Sequence, residues 1–418
     1  MSTDIVIDDL RHPILNDDQK AARAWGDANP IVFDDEAVLA QARDRTGLSD
    51  FGPQDFRIRL KMLVDEWNAD PGISNIHRHT LLGYLNRYAV NRLLIQGFQK
   101  KHPEIHDEKI ERPIIVAGLP RSGTTHMVNI LAADARLRSL PLWEAYEPLP
   151  MPGEPMLPDG TDPRYKRCAD AWDVLRNSVP LIAAMHPMEP DHIHEELELM
   201  GPDYASYNFE WISVIPKWRD YYYATDQTPH YEYMKTVLKI LQWIRGPKRW
   251  VLKCPQHLEQ LPVLKRVFPD ATVVITHRDP VAVIQSAITM TGYTQRFYRN
   301  EVEPEKLLAY WTDRIEHLLR ACVQDRHIWP EAQSFDSYFH EFMADDMGQI
   351  AKIEAKAGLP ITPAVKAQIA QFLADHPRGK EGRVRYNLKR DFGVTADEVR
   401  ARFTFYFDAF PGLKAEVG

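Results

Sequence analysis

Apolar positions along the chain follow two rhythms, and the change between them marks its organisation. Over residues 1–110 they recur at helical spacing. Phe56, Leu60, Leu63, Val64 and Trp67 share one helical face, and Leu81, Leu85, Tyr88 and Leu93 broadly repeat the pattern. Asp34-Asp35-Glu36 opens an earlier helix that Gly47 closes. No strand signal is found here, so the stretch reads as an N-terminal helical cap that serves as substrate cover or dimer contact. From residue 111 the rhythm changes. Ile114 to Ala117 is a short apolar run of the kind that buried parallel strands use. It breaks at Gly118, and a helix starts near Thr124 with Met127, Ile130 and Leu131 on one face.

The alternation continues downstream. Met234, Val237, Leu238, Leu241 and Ile244 form a helical stripe that ends at Gly246-Pro247. Arg249 to Lys253 and Ala271 to Thr276 read as strands joined by a helix around Leu258 to Val267. Pro280 suits the first turn of the next helix, with Val281, Ile284 and Ile288 inward. This order predicts an α/β fold with a central parallel sheet, right-handed crossovers and helices on both faces. Residues 301–375 read as helices without assignable chemistry. The expected organisation is the helical cap over 1–110, then an α/β domain over 111–418 with helical insertions and a late basic loop.

Composition narrows the function. The 418 residues are 44% hydrophobic and 26% charged, as in an ordinary globular protein, with a net charge of −8. That balance argues against a nucleic-acid surface, so any anion site must be built locally against the overall field. Met1 to Leu10 is acidic and lacks the basic-then-apolar pattern of a signal peptide. No apolar run approaches the roughly 18 residues a membrane span needs. Cys168, Cys254 and Cys322 are far apart and lack metal-like spacing, as expected of reduced thiols in a cytoplasmic protein.

The candidate chemistry centres on Gly118-Leu119-Pro120-Arg121-Ser122-Gly123-Thr124-Thr125, between the first strand and its helix. Backbone N–H groups and the positive end of a helix dipole meet there, which suits a phosphate-type anion. Two glycines bracket four residues as in the triphosphate P-loop, but no lysine follows the second one. The cation has moved inside the loop, to Arg121.

This stretch resembles the phosphosulfate loop of sulfotransferases that use 3′-phosphoadenosine 5′-phosphosulfate (PAPS), in the arginine version typical of the bacterial and tyrosylprotein-type branch. The resemblance runs from about residue 113 to 290, plus the tail. It implies a P-loop-like three-layer fold, with Arg121, Ser122, Gly123, Thr124 and Thr125 on the phosphosulfate end of PAPS. Val273 to Ser286 resembles the family's 3′-phosphate segment, with Arg278 and Ser286 as its arginine and serine. Lys253, in Leu252-Lys253-Cys254-Pro255, resembles the family's strand-end lysine. Late basic residues, among them Lys380, Arg383 and Arg385, resemble the loop that closes over PAPS, and Tyr386 to Gly393 resembles the tail of the bacterial branch.

The reaction so implied moves a sulfuryl group in line to a hydroxyl or amine of a small, apolar or aromatic acceptor, leaving PAP. Arg121 and Lys253 supply cations for the leaving phosphate, and no metal is required. A base must take the acceptor's proton. Glu144 is the first candidate, from its position after the loop's helix, and His126 the second. His186 to Met200, crowded with His192, His194, Glu195, Glu196 and Glu198, is a third source; its histidine spacing is poor for a metal. Aromatics from Tyr204 to Tyr233 suit either an acceptor pocket or a core. A P-loop kinase or nucleotidase, or a nucleotide-binding scaffold without turnover, are the alternatives. The acceptor's identity and the oligomeric state are left open.

Overall fold

In the computed structural model, which describes residues 4–377 and 382–416, the apolar runs predicted as strands lie side by side at the centre of one sheet. Among the described residues the strands are β1 (Asp4–Val6), β2 (Ile114–Gly118), β3 (Leu137–Arg138), β4 (Arg249–Lys253), β5 (Thr272–His277), β6 (Ser334–Tyr338) and β7 (Arg383–Arg385). The main sheet has the order β3-β4-β2-β5-β6 and every pairing in it is parallel. β2 is central and buried at every residue, which explains its unbroken apolar sequence. Val116 faces Lys253, and Gly118 faces Thr276, so these strands end together.

Four strands depart from the expectation, among them β7, which lies in the stretch read as a late basic loop. β6 lies inside the stretch read as helical. It is an edge strand with the sequence Ser-Phe-Asp-Ser-Tyr, and Asp336 is held by Arg326 at 2.8 and 2.6 Å, so no apolar run marks it. β3 is two residues long. β1 pairs in parallel with β7, and Asp4 meets Arg385 at 3.0 Å, so the first residues are not helical. A pairing between opposite ends of the chain leaves no local periodicity.

The helical cap is otherwise as read. Asp34 caps Asp35–Thr46, and Gly47 ends it at φ 68°. The helices Phe56–Ala69 and Asn75–Lys101 bury their predicted stripes. Trp67 Nε1 donates to Ser213 Oγ at 2.7 Å, and Arg59 and Arg92 both reach Asp203, at 3.0 and 2.8 Å. Polar ties as well as apolar packing therefore bind these helices to the residues that follow the sheet's first half.

One buried charge near the loop predicts a pH effect. Glu354, on the helix Asp346–Lys356 that packs against Thr124–Ala132, is fully buried, and its Oε1 has no partner. Burial and the nearby Asp134 push its carboxyl up to about 7, against the pull of Arg136. A carboxyl raised on folding favours the protonated fold. Its stabilising effect is complete below its unfolded value near 4.5 and is lost as pH rises to about 7. Glu354→Gln should therefore be more stable than the parent protein at pH 8, by up to about 3 kcal/mol, and equally stable at pH 4.5. Equal melting at both pH values would contradict this.

Candidate active site

Parallel strands end at one edge of a sheet, and here three of them deliver chemistry to it. β2 stops at Gly118, where a Cβ would lie 1.8 Å from Thr276 Oγ1, so the turn can start there only with glycine. Ser122 Oγ donates to Leu119 C=O at 2.6 Å and meets Thr276 Oγ1 at 2.7 Å, locking the turn to β5. Gly123, at φ 85°, then begins the helix Thr124–Ala132. Arg121 itself sits at φ 63°, a left-handed conformation that side chains rarely adopt and that the surrounding bonds must hold. Its Nε donates to Ser286 Oγ at 3.0 Å and its Nη1 to Met185 C=O at 2.6 Å.

Arg278 follows β5 and donates to the carbonyl of Arg121, so the two arginines form one unit. Its guanidinium lies 3.9 Å from the Phe339 ring centre and forks onto Glu416 at 2.7 and 2.8 Å. The neighbouring Asp279 does not pair with it; Asp279 caps the helix Pro280–Tyr298 and holds Arg400. Ser286, on that helix, also meets the Tyr386 hydroxyl at 2.8 Å. Arg121, Arg278, Ser286, Arg383, Arg385 and Tyr386 surround an open polar cavity of about 480 Å³. Of the sequence-predicted donor residues, Arg121, Arg278, Ser286, Arg383 and Arg385 thus share this cavity, Ser122 is turned into the bonds that lock the loop, and Lys380 lies outside the described residues.

Lys253 closes β4 and is buried. Its backbone N–H donates to both oxygens of Glu196, at 2.8 and 3.0 Å. Its Nζ forms a close ion pair with Glu195 and lies 3.4 Å from Thr125 Oγ1. Glu195, Thr124, Thr125 and Arg121 all face a second, smaller cavity of about 190 Å³. Arg121 therefore stands in the partition between the two cavities. The helix Asn75–Lys101 contributes His77, Thr80 and Tyr84 to the smaller one, so the cap covers it.

His186, His192 and His194 cluster beside this partition, with ring centres 5.9–6.2 Å apart. Burial and the charges of Lys253 and Arg121, with a neighbouring histidine, push His186 down to about 3. His192 falls to about 4 by burial and Lys253, and His194 is lowered further by burial and its neighbours. All three are neutral at physiological pH. Among the described residues, the histidine and carboxylate groups whose ligand atoms converge within 4.8 Å are Asp55, Asp203 and His230 instead. There Arg59 and Arg92 already neutralise Asp203.

Both first-named base candidates lie elsewhere. Glu144 is buried against Arg138, at 3.6 Å, and in a close pair with Arg245, and it lines neither cavity. The five-residue helix Leu142–Tyr146 turns it toward those two cations. His126 lies 3.1 Å from Asp346 and beside Phe342, also outside both cavities. The carboxylates that do face the smaller cavity are Glu195 and Glu210, and Glu210 is already held by Tyr310 and Arg314. Glu195 lies in the acidic stretch already singled out, but nothing in the local pattern separated it from Glu196 or Glu198. Of the aromatics from 204 to 233, Tyr204, Phe209, Trp218 and Tyr231 are core, and Trp211 reaches the smaller cavity.

A glycine loop with its cation inside, facing a cationic cavity on one side and a mainly apolar one on the other, is built to hold an anion beside an apolar partner. Comparison with known proteins makes this specific: residues 113–363 match the sulfotransferase family, and the chain belongs to it. It is 22% identical over 273 residues to omega-hydroxy-beta-dihydromenaquinone-9 sulfotransferase Stf3 of Mycobacterium bovis, covering 63% of this chain and 67% of that one. The crystal structure of sulfotransferase STF9 from Mycobacterium avium superposes with a TM-score of 0.81 at 27% identity, over 93% of this chain and 99% of that one. Sulfotransferase STF1 from Mycobacterium tuberculosis H37Rv gives 0.77 at 28% identity, over 90% and 99%.

Proposed function

We propose that the protein transfers the sulfuryl group of PAPS to the hydroxyl of an apolar alcohol held in the smaller cavity. The observation that carries this reading is the position of Arg121, shared by both cavities, with the Lys253–Glu195 pair on the acceptor side. The residues present fit such a donor. Arg278, Ser286 and Arg383 suit its 3′-phosphate; the Gly123 N–H, the Thr124 and Thr125 hydroxyls, Arg121 and Lys253 suit its phosphosulfate end. PAPS supplies the activated sulfuryl group. The chain supplies the rest: Arg121 and Lys253 place positive charge where negative charge grows, and Glu195 accepts the acceptor's hydroxyl proton. Glu196, by holding the Lys253 backbone, fixes where that lysine points. The relative Stf3 is named for a hydroxylated acceptor, which supports an alcohol here.

The test combines mass spectrometry of products formed from PAPS with a cell extract and calorimetry with PAP. Arg278→Ala should weaken PAP binding about tenfold to a hundredfold, the worth of one or two charge-assisted hydrogen bonds, and leave AMP binding unchanged. Binding of magnesium-ATP in place of PAP, with no sulfated product, would overturn the reading in favour of a kinase.

A further inference from the structure

Resting on that reading, we propose that the smaller cavity takes a linear alcohol that carries a second polar group at the end remote from its hydroxyl. The helix Pro280–Tyr298 gives the length. Ser286, bonded to Arg121, begins an i, i+4 series with Met290, Thr294 and Tyr298, and these last three line the cavity. At the rise of an α-helix the three lining residues span about 12 Å, with Ser286 about 6 Å further on beside Arg121. The cavity of about 190 Å³ is lined along this stretch of the helix by Met290, Thr291, Thr294, Gln295 and Tyr298. At the Tyr298 end the chain segments are tied together: Ser74 N–H and Oγ both donate to Tyr298 C=O, at 3.1 and 2.9 Å, and Asn300 N–H donates to Gly72 C=O at 2.9 Å.

The walls between the two ends are less polar than their residue types. Thr80 Oγ1 donates to Ile76 C=O, Thr291 Oγ1 to Ala287 C=O, Thr294 Oγ1 to Thr291 C=O and Ser213 Oγ to Phe209 C=O. With their hydroxyl protons given to backbone carbonyls, these side chains offer mainly carbon to a ligand. Asn208 and Glu210 also line the cavity, but Asn208 donates to Tyr88 and Glu198 and Glu210 is held by Tyr310 and Arg314, so a sugar or other polyol would find few free partners there.

Polar groups recur at the Tyr298 end. His77 is 5% exposed, its ring centre is 4.7 Å from that of Tyr298, and its Nδ1 has no partner. Burial and Arg299 keep this imidazole neutral, pushed down to about 3. Gln295, one residue past Thr294, lines the same end, and its side-chain amide has no hydrogen-bond partner among the described residues. A neutral imidazole and a carboxamide together suit an uncharged carbonyl or hydroxyl.

Trp211 and Trp311 line the cavity, so their fluorescence reports binding without the donor. Titration with straight-chain alcohols from hexan-1-ol to hexadecan-1-ol should show affinity rising to an optimum and falling for longer chains. At the optimum, an alcohol with a ketone at its far end should bind about tenfold tighter than the plain alcohol, the worth of one net hydrogen bond. Gln295→Leu should reduce that preference, and Gln295→Leu with His77→Leu should abolish it while plain alcohols still bind. Gln295 has no partner to lose, so its single variant keeps the test valid if the double variant does not fold. Affinity independent of length, or a ketone preference undiminished by Gln295→Leu, overturns the proposal. Length-dependent binding with no sulfated product from PAPS would instead overturn the transfer reading and leave the cavity's ligand class standing.

Discussion

Replacing Arg121 by alanine is expected to lower kcat with PAPS by a factor of about 10³–10⁵, the range seen when a cation aimed at a transferring anionic group is removed. The size of the effect follows from the absence of a substitute in the loop. No lysine follows Gly123, and the other buried cation nearby, Lys253, is already paired with Glu195. The variant also loses the bonds to Ser286 and Met185, and alanine at φ 63° retains a left-handed strain of about 1 kcal/mol. Arg121→Gly removes the strain but not the defect, so its kcat should match that of alanine while its melting temperature recovers. Arg121→Lys keeps the charge but cannot reach both Ser286 and Met185, and should fall in between. Product formation followed by mass spectrometry, with melting by circular dichroism as control, decides. An alanine variant turning over within tenfold of the parent would remove Arg121 from the chemistry.

The contrast between Arg121 and Glu195 shows what local sequence can carry. The loop was legible because its chemistry is contiguous: strand, glycines, arginine and helix start lie within some fifteen residues, and each imposes its own pattern. Arg278 and Ser286 were legible for the same reason, a strand end and the helix behind it. The central strands β2, β4 and β5 are buried on both faces and so read as apolar runs, whereas β6 at the edge needs no such run. Glu195 is different. It belongs to the site because β4 delivers Lys253 to it from 58 residues away, and the acidic residues around it look alike in sequence. Glu144 misled for the converse reason: spacing after the loop's helix placed it near the site, but Arg138 and Arg245 draw it aside. The helix Asn75–Lys101 likewise walls the smaller cavity through a contact between distant parts of the chain, which no local pattern carries.

That contrast can be tested directly. Glu195→Gln is expected to lower kcat with an alkyl alcohol by about 10²–10⁴, the usual worth of a positioned general base, with PAP affinity retained. Glu144→Gln should do the opposite: it breaks a buried ion pair and costs about 1–3 kcal/mol of stability, discounted because Arg245 is half exposed, with kcat near that of the parent. A falling melting temperature alone does not separate the roles, since Glu195→Gln also strands the Lys253 ammonium. The acceptor does separate them. A phenol acidic enough to be ionised at the assay pH brings no proton to remove, so Glu195→Gln should lose far less activity on it than on an aliphatic alcohol. A merely structural carboxylate would impair both acceptors equally, and an equal defect would assign the proton to another group, with the neutral His186 at the cavity wall as the next to be replaced.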